Sequence, residues 1–234
     1  MDFKVVHIDE TDSTNHWLKD HGEGTMVVAT EYQTAGKGCG SNSWESERGK
    51  NLTFSMLIHP NRITAREQFH ITEVVSVALC KTLQPHIYKK VEIKWPNDIY
   101  VGDRKICGIL IENRLQGPEI RDSIIGIGLN VNQRAFLSDA PNPVSMWQLT
   151  GQETDREALL ADFLQTFDEV MASETAAQDY RQRLYRSAGS YEFEDVNGRF
   201  MAEMVRVEAD GRLVLKDETG HERTYAFKEI KYIL

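Results

Sequence analysis

Apolar positions in the first 132 residues fall into short runs rich in β-branched side chains, each bounded by turn residues. The runs lie at 4–8 (KVVHI), 25–33 (TMVVATEYQ), 51–59 (NLTFSMLIH), 91–95 (VEIKW), 105–115 (KICGILIENRL) and 123–132 (SIIGIGLNVN). Alternating or continuous apolar runs of this length predict half-buried or fully buried strands, here the strands of one sheet. Longer stretches with helical period interrupt them. Thr64 and Glu67 have capping-box spacing ahead of Phe69, Val74, Val75, Ala78 and Leu79, and Thr154 with Glu157 repeats it ahead of Leu160, Phe163, Leu164, Phe167 and Met171. Each predicts a helix with one apolar face. A shorter helix is expected from Ser13, with Trp17 and Leu18 facing inward, and another from about Ala176 to Arg186.

The pattern changes after Gly189 to short strand-like runs broken by turn residues. Asp210-Gly211 is a hairpin signal and Glu218-Thr219-Gly220 a second turn. A tail of this kind predicts a small β-barrel rather than more of the same sheet. The expected fold class is therefore α+β: a central sheet with flanking helices over residues 1–188, then a small β domain over residues 189–234.

Composition narrows the function. The chain has 234 residues, 41% of them hydrophobic and 27% charged, and no apolar run approaches the roughly 18 residues that cross a bilayer. The N-terminus, MDFKVVHIDETDSTN, lacks a basic region followed by an apolar one, so a cytoplasmic protein with no membrane association is expected. A formal net charge of −9 argues against a general nucleic-acid binder. Cys39, Cys80 and Cys107 are far apart and outside any C-x-x-C pair, which favours reduced thiols. The histidines are scattered, and neither H-E-x-x-H nor G-x-S-x-G occurs.

Four segments can carry chemistry. In EYQTAGKGCGSNSW (31–44) the Walker pattern fails, and a Rossmann fingerprint fails because Ser41 stands where its third glycine belongs. Gly36, Gly38 and Gly40 still let backbone N–H groups approach an anion, and Lys37 adds charge. Read alone, the loop fits a hairpin connection better than a ligand cradle. In KWPND (94–98), Lys94 leaves a strand into a polar corner and Lys105 opens the next strand, so two ammonium groups can converge on one pocket; such a pair repels itself unless an anion lies between. Solvated lysines at strand ends are the simpler account of either one. Gly126 and Gly128 interrupt a strand, marking either a bulge or a close approach to the backbone. Asp12-Ser13-Thr14-Asn15 can cap a helix, or hydrogen-bond a neutral polar ligand.

In this order the segments Ser13-Thr14-Asn15, Glu31-Tyr32-Gln33 with Gly36-Lys37-Gly38 and Trp44, Lys94-Trp95-Pro96-Asn97-Asp98, Lys105-Ile106-Cys107-Gly108-Ile109-Leu110 and Gly126-Ile127-Gly128-Leu129-Asn130 resemble the biotin protein ligases. The resemblance runs from about residue 5 to residue 132. It implies a mixed sheet of the class II aminoacyl-tRNA synthetase and lipoate ligase type, followed by an SH3-like barrel. The implied activity uses ATP, with Mg²⁺, to activate biotin as biotinyl-5′-AMP, then passes it to a lysine of a biotin carboxyl carrier domain of a biotin-dependent carboxylase. Carried over by position, Ser13, Thr14, Asn15, Gln33, Gly36, Lys37, Gly38, Cys39, Lys105 and Gly108 hold biotin. Trp44, Lys94, Asn97 and Asn130 serve ATP and the adenylate. Lys94, Lys105 and Asp98 are the catalytic set, Asp98 also being the candidate metal ligand. The chain departs from the family's G-R-G-R-x-G loop, with Lys37 and Cys39 where arginines are expected. No segment resembles the DNA-binding domain of the bifunctional members, and no DNA binding is expected. The rival readings are a lipoate or octanoate ligase on the same fold and a non-catalytic module that binds a small anion.

Overall fold

The structure is a computed structural model and describes residues 1–40, 42–61, 63–138 and 140–234; Ser41 of the glycine loop lies outside them. Its larger sheet contains β1 (Lys4–Thr11), β2 (Met26–Gln33), β3 (Leu52–Ile58), β4 (Val91–Lys94), β5 (Asp98–Val101), β6 (Arg104–Gln116) and β7 (Glu119–Leu129). Their spatial order is β1-β2-β3-β7-β6-β5-β4. Only β1 and β2 pair in parallel; the other ladders are antiparallel, so the sheet is mixed.

Every residue of β3 is buried because helices cover both faces of the sheet. Helices α2 (Phe69–Leu83) and α4 (Arg156–Met171) lie on one face, where Val74, Ala78, Phe163 and Phe167 join Phe54, Ile109, Ile125 and Ile127 in the main core. On the other face Leu18 of α1 (Thr14–His21) packs with Met26, Val28, Leu57 and Ile124. The period of two along β7 thus sends Ile125, Ile127 and Leu129 to the α2 side, and Ile124, Gly126 and Gly128 to the α1 side.

Several expectations need adjustment. Thr154 does not cap α4. Asp155 does, accepting from the N–H groups of Glu157 and Ala158 at 2.9 and 3.2 Å, because a carboxylate at the N-cap also meets the positive end of the helix. Thr154 instead exchanges two backbone hydrogen bonds with the Asn132 side chain, both 2.9 Å. Glu67 does bond back to Thr64, but over a 3₁₀ turn (Ala65–Glu67) that precedes α2. Trp17 is only half-buried. Strand β5 and the short helix α3 (Met146–Thr150), capped by Ser145, were not anticipated. Helix α5 (Ala176–Gln182) ends sooner than expected. The residues after it pair with the free edge of β4, Ile93 donating to Arg183 O and Tyr185 donating to Ile93 O, each at 2.8 Å, so that edge is covered.

The C-terminal strands are β8 (Ser190–Asp195), β9 (Gly198–Val207), β10 (Leu213–Asp217), β11 (Glu222–Tyr225) and β12 (Lys231–Tyr232). They form an antiparallel sheet in the order β11-β10-β9-β8-β12. Among the described residues no ladder joins β11 to β12, so the sheet is not a closed barrel. Both predicted turns are present, with Gly211 at φ +88° and Gly220 at φ +85°. Phe193, Leu213, Leu215 and Tyr232 of this sheet belong to the same buried cluster as the main core.

Candidate active site

The α1 face of the large sheet is bare where Gly108, Gly126 and Gly128 replace side chains. A Cβ on Gly126 would lie 3.0 Å from Asn15 Cγ; one on Gly128 would lie 2.5 Å from Trp44 Nε1 and one on Gly108 2.9 Å from Trp44 Cζ3. The glycines let the Asn15 amide and the Trp44 indole lie flat on the strands, and the close-approach reading of the GIG segment holds.

Around Asn15 is a polar network. Gln33 Oε1 accepts from Thr14 N–H at 2.8 Å and from Thr14 Oγ1 at 3.0 Å. Ser55 Oγ lies 2.6 Å from both Thr14 Oγ1 and Asn15 Oδ1. Asn15 Nδ2 donates to Glu112 Oε2 at 2.8 Å, and Lys19 donates to the other Glu112 oxygen at 2.7 Å. Burial works to raise the Glu112 carboxyl, but hydrogen bonds from Lys19 and Asn15 and the charges of Lys19 and Lys37 hold it below the usual range. Ser13 occupies the N-cap position of α1, yet its side chain makes no capping hydrogen bond. Ser55 and Glu112 were missed in the sequence; their signals were one hydroxyl inside the apolar run FSML and one charge inside ILIEN.

The glycine loop closes on itself. Trp44 N–H donates to Gly36 O at 2.9 Å and Gly38 N–H to Asn42 O at 2.7 Å, with Lys37 and Ser43 bridged as in a hairpin. The hairpin reading of the loop thus holds. Cys39 is a half-exposed free thiol in this turn. Cys80 and Cys107 are buried, and burial pushes the Cys80 thiol up to about 12 and the Cys107 thiol higher still, so neither is a nucleophile at neutral pH.

Beyond Trp44 the lysines converge, and Asp98 answers their repulsion. Lys105 Nζ pairs with Asp98 Oδ1 at 2.6 Å and lies 5.6 Å from the Trp44 ring centroid. Lys94 donates to Tyr100 OH at 3.2 Å and lies 5.0 and 5.3 Å from the Tyr100 and Tyr232 rings. Burial first, then the like charges of Lys105 and Arg186, lower the Lys94 ammonium below the ordinary lysine value despite attraction to Asp98. Asn97 donates to Ile109 O at 2.9 Å. Asn130 donates to Val144 O at 3.1 Å, leaving its buried Oδ1 without a partner. The buried Trp44 Nε1 also lacks an acceptor. The corner before Asp98 contains a cis Trp95–Pro96 bond and is fastened twice: Trp95 Nε1 donates to Gly211 O at 2.9 Å, and Tyr180 OH donates to Pro96 O at 2.7 Å.

One face of the mixed sheet thus carries in sequence the Thr14–Asn15–Gln33–Ser55 network, the Trp44 indole over glycines and the Lys105–Asp98 pair. Residues 4–130 match the model of the biotin/lipoate A/B protein ligase family, and the chain belongs to that family. It is 29% identical over 243 residues to the bifunctional ligase/repressor BirA of Bacillus spizizenii, covering 94% of this chain and 70% of that protein. It is also 29% identical over 158 residues to the biotin--[acetyl-CoA-carboxylase] ligase of Paracoccus denitrificans, covering 64% of this chain and 65% of that one. A solved biotin protein ligase from Aquifex aeolicus, in complex with biotin and ATP, superposes with a TM-score of 0.81 at 22% identity, over 98% of this chain and 99% of that one. Among the described residues no helix is long and apolar enough to cross a membrane.

Proposed function

We propose that this chain is an ATP-dependent biotin protein ligase. A biotin carboxylate oxygen attacks the α-phosphorus of ATP, the bond to pyrophosphate breaks, and biotinyl-5′-AMP forms. A lysine amine of a biotin carboxyl carrier domain then attacks the acyl carbon, loses a proton, and AMP departs with the electrons of the C–O bond. The observation that carries this reading is the Lys105–Asp98 pair at 2.6 Å, on the same sheet face as the network of Thr14, Asn15 and Gln33. The names of the similar ligases from Paracoccus denitrificans and Aquifex aeolicus support it.

In this reading Ser13, Thr14, Asn15 and Gln33 hold the ureido ring of biotin, which both donates and accepts hydrogen bonds. The loop from Gly36 through Lys37, Gly38 and Cys39 covers it, and Gly108 gives it room. Trp44 stacks on adenine, Asn97 and Asn130 border the nucleotide, and the biotin carboxylate displaces Asp98 from Lys105. Lys94 and Lys105 then stabilise charge gathering on the phosphate. Preorganised donors of this kind contribute about 3 kcal/mol each in other enzymes. A protein nucleophile is not required.

Asp98 is committed to Lys105, and no cluster of three ligating side chains occurs among the described residues. In this proposal magnesium arrives with the substrate as MgATP, and Asp98 would be free to ligate it once the biotin carboxylate takes Lys105. The large sheet and the C-terminal sheet correspond in this proposal to a catalytic domain over 1–188 and a smaller one over 189–234. A lipoate ligase is the less suited alternative, because a dithiolane ring offers no strong donor or acceptor to exchange with this polar network.

The deciding experiment is ATP–pyrophosphate exchange with biotin or lipoate, followed by transfer to an apo carrier domain. Exchange with biotin, and label on the carrier lysine, are expected. Exchange with lipoate alone, or with neither acid, overturns the proposal.

A further inference from the structure

Two non-glycine residues have positive φ, Arg186 at +55° and Lys228 at +71°. Lysine rarely adopts this conformation without something that holds it there. Lys228 lies in the connection between β11 and β12, in a turn fixed by the Glu229 carboxylate accepting from Ala226 N–H at 2.7 Å. The turn directs two consecutive side chains at the candidate site. Phe227 meets Trp95 edge to face, with ring centroids 6.4 Å apart. The Lys228 ammonium lies where a side chain on Gly40 would begin, with its Cε 3.6 Å from that point. Gly40 is itself at φ +72°. The ammonium therefore lies against the Gly40 backbone, while Phe227 packs on the Trp95 corner that carries Asp98.

The charges around the site are unevenly committed. Lys105 answers Asp98, and Lys37 lies on the Glu112 side of the loop. Glu229 is turned away into its own turn, and Lys228 makes no ion pair among the described residues. Its ammonium lies 5.8 Å from the Phe227 ring centroid and beside backbone that Gly40 leaves open, so it brings a cation with no carboxylate partner to the loop, an arrangement that receives phosphate oxygens.

We propose that Lys228 is a phosphate-binding residue of the nucleotide site: its ammonium takes the terminal phosphates of ATP, the part that departs as pyrophosphate. The C-terminal sheet thereby adds a cation to a loop that carries only Lys37 between Gln33 and Trp44. This rests on the ligase reading above, which the wild-type protein tests independently.

The test is biotin-dependent ATP–pyrophosphate exchange by the full chain and its K228G, K228A, K228E and K228R variants. Loss of one charge-assisted contact should raise the KM for ATP about tenfold in K228G and K228A, more in K228E, and little in K228R. The KM for biotin should stay within about twofold. K228G should melt no lower than the wild type, because glycine accepts the left-handed conformation, so weaker ATP use by that variant cannot be ascribed to unfolding. An unchanged ATP KM in K228G and K228A overturns the inference while leaving the ligase reading intact. So does a rise confined to the KM for biotin. Absence of exchange in the wild type overturns both, and is seen before any variant is made.

Discussion

Lys105 and Asp98 neutralise each other, with Nζ 2.6 Å from Oδ1. In the proposed reaction an arriving carboxylate exchanges one partner of Lys105 for another instead of having to desolvate a free ammonium. Lys105→Ala should lower biotin-dependent pyrophosphate exchange on the order of a hundredfold. Both partners are nearly a third exposed, so the pair adds little to stability and the melting temperature should hold. Near-normal exchange in this variant would remove Lys105 from the chemistry.

Gly128→Ala adds a methyl group 2.5 Å from Trp44 Nε1 and 2.8 Å from Cζ2. The indole must leave the sheet, so ATP binding should weaken at least tenfold and stability fall by roughly 1–3 kcal/mol. Calorimetric titration with ATP and a thermal melt report the two effects separately. An unaltered ATP affinity would show that the indole wall is not part of the nucleotide site.

Thr14→Val keeps the shape of the side chain and removes the hydroxyl that meets Gln33 and Ser55. Losing one buried hydrogen-bonding group costs roughly 1–3 kcal/mol, so the KM for biotin should rise about tenfold or more with the KM for ATP unchanged. Steady-state exchange at varied biotin and varied ATP separates them; equal changes in both constants would contradict a biotin-specific recess.

Lys94 should be a residue whose function costs stability. Burial, with Lys105 and Arg186 adding repulsion, lowers its folded-state value below the 10.5 of an ordinary lysine. Below the folded value the ammonium is charged in both states and the folded chain bears the whole cost. As pH rises through that value toward 10.5 the proton is lost and the cost is relieved. Lys94→Met should therefore melt higher than the wild type at pH 7, with the advantage shrinking toward pH 10, while exchange activity falls. Melting curves at the two pH values test the sign, and a lower midpoint at pH 7 would reverse it.

The strands and the close approaches at Gly126 and Gly128 were legible because a half-buried strand writes its period directly, and because glycines that admit an indole or an amide stand out inside apolar runs. Ser55 and Glu112 were not. A single hydroxyl in β3 or carboxylate in β6 carries no period, and its meaning comes from Asn15, 40 and 97 residues away in the chain. Asp155 displaced Thr154 as the cap of α4 because two adjacent residues could both serve and only folding chose between them. Lys228 was invisible for another reason: its role rests on a left-handed backbone and on Gly40, neither of which an isolated AFKEI conveys.

The corner that carries Asp98 has a consequence for how the protein is made. Its two fasteners come from far downstream: Tyr180 is 84 residues beyond Pro96, and Gly211 is 116 beyond Trp95. A nascent chain that has emerged through Asn130 already holds Ser13 to Asn15, the glycine loop, both site lysines and Asp98, but not the parts that clamp the corner. Domains generally mature as units during synthesis. Here the clamp waits for the β9–β10 hairpin, so the corner is fastened only after Gly211 has been made.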